Sequence, residues 1–433
     1  MSTFQIVILA IFIFFLLFAV LVFAGVIPFF GGAPSGVTGT VIMWGTVSNS
    51  FLDEALRALN KINEDTFAIA YVEKRKESFD RELVEALASG RGPDMILLPD
   101  DLIVRHADKV FPIPLESFSI RKFRDTFIEE GELYLTNVGI LAMPFSVDPM
   151  VLFWNRDMFN SASIARPPSS WDQFLTLAAI LTQKDQALTI HKSAIALGEF
   201  GNITHAKDVL SMLILQAGDP IVERAEAGLV SILGERHDLV TPPAESALRF
   251  FTEFSNPAKT TYSWNRSLPE SKDFFIANDL AAYIGFASEI GEIRARSPHL
   301  NFDIAPMPQP REVARAKTLG RMTGIAVLKS SRNPVTAFYA ASILTGQEFL
   351  QAFVVESGLP SVRRDILSIK NPGPFGDTLN ASALMATGWL DPSPGDSEGV
   401  FRTMVETVLS GKEKMSEAVG RANGELGNLL KMQ

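Results

Sequence analysis

Side chains that could carry out catalysis or hold a metal are scattered along this chain. The five histidines lie in separate predicted elements without His-x-x-x-His spacing, at His106, His191, His205, His237 and His299. The absence of cysteine excludes disulfides, thiolate nucleophiles and thiolate metal sites. Gly90 and Gly92 lack Walker or dinucleotide spacing, and there is no Gly-x-Ser-x-Gly elbow. We therefore expect neither an enzyme nor a cofactor.

Other residues could bind a ligand without reacting with it. They follow predicted strands, and ligands of open α/β sheets collect at the carboxyl ends of strands. The candidates of this kind are Trp44, Gly45, Asp100, Asp101, Gly285 and Phe286. Aromatic faces stack on sugar rings and carboxylates bind hydroxyl groups, so the mixture suits a neutral saccharide. Each also has a structural alternative, because the aromatic residues could lie in the core and the aspartates in a solvated turn.

Strand and helix patterns alternate around these candidates. Thr40 to Trp44 predicts a strand, the apolar stripe after Ser48 predicts a helix, and Phe67 to Val72 predicts the next strand. A further helix stops at Gly90, before a strand over 94–98. This repetition predicts an α/β fold with a parallel sheet and helices on both faces.

A second unit is predicted to begin near Val151. Ser170 and Gln173 have capping-box spacing at the start of a helix. The segments 281–286 and 302–308 are predicted as strands, and the tail is predicted as helices. Two units are also what 433 residues require, because one hydrophobic core rarely supports so long a chain.

Charge and the N-terminal sequence restrict the partners. A net charge of -10 gives no basic surface for phosphate backbones, so we expect no nucleic-acid partner. The run 4–30 is apolar and long enough to cross a lipid bilayer as a transmembrane helix. A cleaved signal peptide is the alternative, although residues 1–3 carry no Lys or Arg. Residues 31–39 then form a tether.

Five separated blocks of the sequence carry a resemblance to a known family, namely "LVEALASGRGPDMIL" from Leu83, the stretch 138–182, the stretch 274–308, the stretch 319–364 and the tail from Gly388. In this order they resemble family 1 of the extracellular solute-binding proteins, which contains the maltose- and oligosaccharide-binding proteins of ABC importers. The second block is the most specific, because it carries Trp154, Asn155, Asp157, Pro168 and Trp171 at the family's spacing. The third departs from the family at 278–282, where Asn-Asp-Leu-Ala-Ala replaces the usual Gly-Lys-Ala-Ala-Met.

The resemblance implies a two-lobed class II periplasmic-binding-protein fold. Lobe 1 would contain 40–145 plus 309–330, and lobe 2 would contain 149–303 plus 333–433. The hinges between them would lie at 145–148, at 304–308 and near Ser331, and hinge closure would trap the ligand. Four further site residues follow from the blocks and the crossover, namely Asp148, Trp264, Arg321 and Trp389. Trp154 and Trp171 are predicted to pack inside lobe 2.

The function implied by the resemblance is that of a monomeric solute-binding protein anchored in the membrane, with its folded body outside the cytoplasm. It would capture a small molecule, with a carbohydrate as the expected ligand, and deliver it to the membrane subunits of an ABC permease. A sensory or scaffolding ectodomain that kept the fold is the alternative. Iron is disfavoured as a ligand, because related iron-binding proteins use tyrosines to hold the metal and this chain has only five tyrosines.

Overall fold

The computed structural model describes residues 36–226, 228–311, 315–370 and 373–432. The predicted anchor over 4–30 and the beginning of the tether lie outside these residues. Within the described ranges, no helix combines the length and apolar character needed to span a bilayer. The chain forms two compact units, the first ending at Val147 and resuming over Met322–Ile369, the second comprising Asp148–Arg321 and the residues from Lys370 onward.

Strands and helices alternate through most of the chain. The strands are β1 Gly39–Gly45, β2 Phe67–Glu73, β3 Met95–Pro99, β4 Leu135–Thr136, β5 Gly139–Ile140, β6 Met143–Asn155, β7 Gln183–Lys184, β8 Ile190–Ile195, β9 Val222–Ala225, β10 Gly228–Ser231, β11 Leu280–Phe286, β12 Phe302–Ala305, β13 Thr318–Val327 and β14 Ala386–Thr387. The helices are α1 Asp53–Ile62, α2 Lys76–Ala88, α3 Ile103–His106, α4 Ile120–Thr126, α5 Arg156–Ser161, α6 Trp171–Leu181, α7 Ala206–Gln216, α8 Pro243–Glu253, α9 Ser271–Ile276, α10 Glu289–Arg296, α11 Pro334–Leu344, α12 Gln347–Ser357, α13 Arg364–Leu367, α14 Gly376–Met385, α15 Pro394–Leu409 and α16 Met415–Lys431. Short 3-10 helices cover Asn49–Phe51, Asp100–Leu102, Ala107–Lys109 and Glu129–Tyr134.

The first unit is built on a sheet with the order β2-β1-β3-β13. β1 pairs in parallel with β2 and with β3, as the alternation of strands and helices predicts, whereas the second half of β13 returns antiparallel to β3. Val41 and Met43 of β1 are fully buried at alternate positions. The carboxyl ends of β1 and β3 therefore lie at one edge of this sheet.

Asp94 connects the sheet of the first unit to a loop that is distant in sequence. Its buried carboxylate accepts hydrogen bonds from the backbone N–H of Ile42, 2.9 Å away, and from the Ser331 hydroxyl at 2.6 Å. The backbone N–H of Arg332 donates to it at 3.1 Å. The Pro-Asp pair of the first block is thus a structural element, because an aspartate here satisfies three donors at once.

The unit boundaries differ from the predicted lobes in two places. Residues 333–369 belong to the first unit, because the Thr336 hydroxyl donates to the Thr38 carbonyl at 3.0 Å and the Tyr339 ring packs on Phe67 at 5.5 Å. Residues 309–321 belong to the second unit, where Trp171 N–H donates to the Gln309 carbonyl at 3.1 Å. The second crossing therefore lies at 321–322, inside β13, rather than at the prolines of 304–308.

The second unit has its own sheet, in which β6 lies between β12 and β11 and the order continues through β8 to β7. β11 is antiparallel to β6 and parallel to β8, so this sheet is mixed where a parallel one is predicted. β12 ends at Ala305, earlier than the predicted strand, because Pro306–Pro310 has prolines at alternate positions in the sequence.

The Trp-Asn-Arg-Asp motif of the second unit has a packing and capping role. Asn155 caps α5, since its side-chain oxygen accepts from the N–H groups of Asp157 and Met158, each at 3.0 Å. Trp154 packs edge-on against Phe159 with ring centroids 5.3 Å apart. Trp171 is buried and its indole N–H donates to Gln216 at 2.7 Å. The prediction that both tryptophans pack inside this unit is confirmed.

Asp219, which follows α7, is a buried carboxylate with few hydrogen-bond donors around it. Asp219 is fully buried, its Oδ1 accepts from the Ile221 N–H at 2.7 Å, and its Oδ2 has no hydrogen-bond partner among the described residues. The His237 ring nitrogen lies 3.9 Å from Oδ2. Burial raises the pKa of Asp219 from 3.8 to about 6.

Replacing Asp94 by alanine should destabilise the first unit by about 2–4 kcal/mol, because three donors lose their shared acceptor. Urea unfolding measures the effect. Asp125→Ala is the control, since Asp125 pairs with Arg121 at 3.8 Å with both side chains exposed, and its loss should cost less than about 0.5 kcal/mol. Equal effects of the two substitutions would contradict the role of Asp94.

Asp219→Asn should raise stability at pH 8 by about 1–2 kcal/mol and should change it little at pH 4. The pKa is raised in the folded state, so the unfolded state loses its proton first and wild-type stability falls as pH rises from about 4 to about 6. Thermal melting across this range measures the difference. The exposed Asp377→Asn is the control, and a Tm gain that is the same at both pH values would contradict the argument.

Candidate ligand-binding site

In the second unit, the carboxyl end of β11 and the amino end of α7 bring ionisable groups together around one arginine. We call this group the Arg321 cluster, and its members are Asp148, His205, Asp208, Phe286, Glu289 and Arg321. Phe286 ends β11, His205 and Asp208 stand at the start of α7 and Glu289 begins α10, whereas Asp148 and Arg321 lie within β6 and β13.

Arg321 lies on Phe286 and is held by Asp208. Its guanidinium carbon is 3.7 Å from the centroid of the Phe286 ring, and its Nη2 donates to Asp208 Oδ2 at 2.5 Å. Burial raises the pKa of Asp208, but the charge and hydrogen bond of Arg321 together with the charge of Lys207 outweigh it, and the net shift is downward. The Arg321 side chain remains 34% exposed, so one planar cation is fixed in place while part of it faces solvent.

His205 connects Arg321 to Glu289. Arg321 Nη2 lies 3.2 Å from His205 Nδ1, and His205 Nε2 lies 3.2 Å from Glu289 Oε1. The imidazole also packs edge-on against Phe286 with centroids 5.0 Å apart. His205 precedes α7 with φ 63°, a left-handed conformation that aims its side chain back toward the end of β11.

Glu289 is a buried carboxylate with several donors. Its Oε2 accepts from the Tyr283 hydroxyl and from the Phe286 N–H, each at 2.9 Å, and Lys272 Nζ lies 3.1 Å from Oε1. Burial opposes its ionisation, but the hydrogen bond from His205, the Phe286 N–H and the charge of Lys272 together lower its pKa to about 2. Glu289 is therefore a fixed negative charge.

Gly285 allows Glu289 to approach the strand. A Cβ at this position would collide with the Glu289 carboxylate and with the Tyr283 ring. Gly285 was predicted as a ligand contact, and in the structure it is buried and leaves room for the carboxylate. Its role is thus to leave space beside β11 for the Glu289 carboxylate.

Asp148 is oriented by the loop after β11. Its two oxygens accept from the Ser288 N–H at 2.9 Å and from the Ser288 hydroxyl at 2.6 Å. Burial raises the pKa of Asp148, while Ser288 and the positive charge of Arg321 oppose that shift. Asp148 is half-buried, and it lies near enough to Arg321 for the two charges to interact.

A second ion pair fastens the tail segment to α7. Lys207 Nζ lies 2.7 Å from Asp391 Oδ2, and both side chains are largely buried. Ser397 of α15 also donates to Asp391, at 2.8 Å. Trp389 stands beside this pair, stacked on Phe401 at 5.9 Å. These contacts hold the segment before α15 against the amino end of α7.

The candidates in the first unit lie at the carboxyl ends of β1 and β3, as predicted. Trp44 is half-buried and its ring face is covered by Lys74 Nζ at 3.8 Å from the centroid. Gly45 is packed against Leu97, where a Cβ would be 2.7 Å from the leucine side chain. Asp100 is buried and accepts from the Asp101 N–H at 3.0 Å.

Three aromatic residues that were predicted as ligand contacts are buried in the second unit. Trp264 and Phe286 are fully buried, and Trp389 is only 7% exposed. Trp264 donates its indole N–H to Asn202 at 3.0 Å and packs on Phe274, so it belongs to the core. The face of the Phe286 ring is covered by the guanidinium group of Arg321. None of these three rings offers an open face for stacking on a sugar.

Four contributing residues were missed from the sequence: His205, Asp208, Ser288 and Glu289. His205 and Asp208 were visible as a polar pair opening a helix, and Glu289 follows Gly285 at a distance of four residues. These signals are weak, because the contacts join residues separated by 84 to 140 positions. In the described part of the chain, no three His, Cys, Asp or Glu side chains are grouped as a metal ion would require.

Comparisons with known proteins agree with this fold. The sequence model of the bacterial extracellular solute-binding proteins matches residues 77–352. A candidate binding protein of Brucella abortus is 19% identical over 298 residues, which is 66% of this chain and 66% of that protein, and a Brucella suis protein matches equally. The chain thus spans slightly less than two thirds of these curated relatives.

Solved structures resemble the chain over most of its length. A cyclo/maltodextrin-binding protein complexed with maltotetraose is 16% identical, with a TM-score of 0.72 over 93% of this chain and 99% of that one. The sugar-binding protein MalE of Xanthomonas citri is 17% identical, with a TM-score of 0.73 over 91% and 98%. An ABC transporter solute-binding protein of Thermotoga lettingae bound to α-D-tagatose is 18% identical, with a TM-score of 0.62 over 91% and 100%.

Two glycine substitutions near the cluster should act in opposite directions. Gly285→Ala should destabilise the second unit by about 1–3 kcal/mol, because the new methyl group displaces Glu289. Gly291→Ala should stabilise it by about 0.5–1 kcal/mol, since that glycine lies in α10 with open space around it. Chemical denaturation measures both. Destabilisation by both substitutions, or by neither, would contradict the packing described for Gly285.

Proposed function

Because this chain belongs to the bacterial extracellular solute-binding proteins, we propose that it captures a carbohydrate outside the cytoplasm and delivers it to the membrane subunits of an ABC permease. Members of the family bind solutes and are not enzymes. The sugar assignment is supported by the solved structures of the same fold, which carry maltotetraose and α-D-tagatose.

The observation that carries the sugar assignment is that Arg321 and Asp148 belong to one cluster, near enough for the charge of Arg321 to act on the Asp148 carboxylate. The Arg321 side chain is partly exposed and Asp148 carries carboxylate acceptors. A hydroxyl group donates and accepts, so a vicinal diol can engage both residues at once. Charge-assisted hydrogen bonds of this kind are stronger than neutral ones and depend on direction, which is what discrimination between sugars requires.

The charge of the site favours a neutral ligand. Three carboxylates, on Asp148, Asp208 and Glu289, face two cations, on Arg321 and Lys272. Arg321 is already engaged by Asp208, and Lys272 by Glu289 and by Glu292 at 2.8 Å. An anionic solute would meet excess negative charge, whereas a polyhydroxylated neutral molecule meets donors and acceptors.

Recognition would then rest on polar contacts more than on aromatic stacking, because Phe286, Trp264 and Trp389 are buried. The membrane anchor over 4–30 and the trapping of ligand by hinge closure remain predictions, as does a monomeric state. The permease partner is proposed from the family alone.

Isothermal titration calorimetry against neutral mono- and oligosaccharides tests the proposal, with maltotetraose, mannotriose and tagatose as the first probes. We expect at least one to bind, and Arg321→Ala to weaken that binding by about 10- to 100-fold, as the loss of a charged hydrogen bond would.

Arg402→Ala is the matched control. Arg402 also lies over an aromatic ring, at 4.8 Å from Phe200, but its partner Glu398 is exposed and it lies outside the cluster. This substitution should leave affinity unchanged. If no saccharide gives a binding signal, or if Arg321→Ala binds as tightly as wild type, the sugar assignment is wrong.

A further inference from the structure

His205 occupies a conformation that its own backbone does not favour. A φ of 63° is uncommon for a residue with a side chain, although histidine adopts it more readily than most. The conformation places the imidazole between Arg321 and Glu289, with one ring nitrogen toward each. Such strain is retained only where surrounding contacts compensate for it, and here the contacts of the imidazole ring with Arg321 and Glu289 do so.

The contacts of the ring define one protonation state. Arginine can only donate, so the 3.2 Å contact from Arg321 requires an unprotonated Nδ1. The Glu289 carboxylate already accepts from the Tyr283 hydroxyl and the Phe286 N–H and lies beside Lys272, so as an ionised acceptor its 3.2 Å contact at Nε2 requires a proton there. Both contacts are satisfied only by the neutral imidazole with its proton on Nε2.

Charged groups surround this ring on several elements. Asp208 lies 3.9 Å from Nδ1, and Lys207 is the next residue to Asp208 on α7. Glu289 on α10 contacts Nε2 and is itself paired with Lys272 of α9 and with the Tyr283 hydroxyl of β11. Arg321 on β13 contacts Nδ1, and Asp148 on β6 lies beyond it.

From this arrangement we propose that His205 is a positioning residue that holds Arg321 in its ligand-binding orientation only while the imidazole is neutral, so that affinity for the solute falls on acidification. The proposal rests on the proposed function, because it assigns Arg321 to ligand binding. It adds a control of affinity that is built into the binding site.

Protonation of His205 would act on Arg321 in two ways. A proton on Nδ1 removes the acceptor that Arg321 uses, and it places a positive charge beside the guanidinium. Asp208 lies 3.9 Å from Nδ1, so the imidazolium competes with Arg321 for that carboxylate. Histidine is the side chain that ordinarily changes charge between about pH 5 and pH 8.

Calorimetric titration of the saccharide identified above, from pH 8 to pH 5, tests the proposal. The wild-type Kd should rise by about tenfold or more over this range. In His205→Asn the side-chain oxygen takes the place of Nδ1 as acceptor without titrating, and asparagine tolerates the left-handed backbone, so the Kd of this variant should change little between pH 8 and pH 5, whatever its value at pH 8.

Two comparisons separate His205 from other titrating groups. His191→Asn is the matched control, because His191 is exposed and lies 3.7 Å from Asp185, and it should keep the wild-type pH profile. Asp148, whose pKa is raised by burial, is intact in His205→Asn, so any fall in affinity that persists in that variant comes from groups other than His205. A profile in His205→Asn equal to that of wild type overturns the proposal.

A second readout does not need a ligand. Selective ¹⁵N labelling of the five histidines allows the tautomer of each to be read from its two-bond couplings, with His205 assigned by its loss in His205→Asn. The Nε2–H tautomer at pH 8 supports the proposal, and the Nδ1–H tautomer overturns it.

The outcomes distinguish the inference from the function on which it rests. If no saccharide binds at any pH, the proposed function is wrong, and the tautomer still decides whether His205 accepts from Arg321. Binding with an affinity that is independent of pH overturns the inference and leaves the proposed function standing.

Discussion

The Arg321 cluster depends on one buried negative charge, the carboxylate of Glu289 at the end of β11. Four donors from four directions neutralise it, namely the Tyr283 hydroxyl, the Phe286 N–H, the His205 ring and the Lys272 ammonium. Because a buried charge is tolerated only when such partners are complete, each of them is fixed in position. His205 transmits that order to Arg321, and the absence of a side chain at Gly285 makes the space for it.

The residues that make this family recognisable are mostly not the ones that would touch a ligand. Asp94 joins a strand to a distant loop, Asn155 caps a helix, and Trp171 fills the core and bonds to Gln216. These roles require one particular side chain at one position, whatever solute is bound. The residues proposed to face the ligand, Asp148 and Arg321, lie within β6 and β13, and one fold can carry different residues at such positions. Membership in the family therefore predicts the fold more firmly than the solute.

Local sequence patterns were sufficient to predict many of the strands and helices, but they did not predict which side chains form the Arg321 cluster. β1, β2, β3 and β11 follow from short apolar runs, and the start of α6 follows from Ser170. Asp148 was predicted from its position at the crossover, and Arg321 from a block that resembles the family. His205, Asp208 and Glu289 escaped because their contacts join residues more than 80 positions apart in sequence. Burial of the aromatic residues was not predictable either, since residue type alone does not distinguish Trp264 in the core from a ring that faces a ligand.

Glu289 and Asp219 show why burial alone does not decide the charge of a carboxylate. Both are buried in the same unit, but the pKa of Glu289 is lowered to about 2 whereas that of Asp219 is raised to about 6. Glu289 has four donors, and Asp219 has one hydrogen bond from Ile221 and a histidine 3.9 Å away. Desolvation is present in both, so the donors determine the sign. The same reasoning applies to Asp148, where the two bonds from Ser288 do not overcome burial and the pKa stays raised. A ligand hydroxyl donating to Asp148 would add the missing partner, so binding itself would favour the ionised carboxylate at this position.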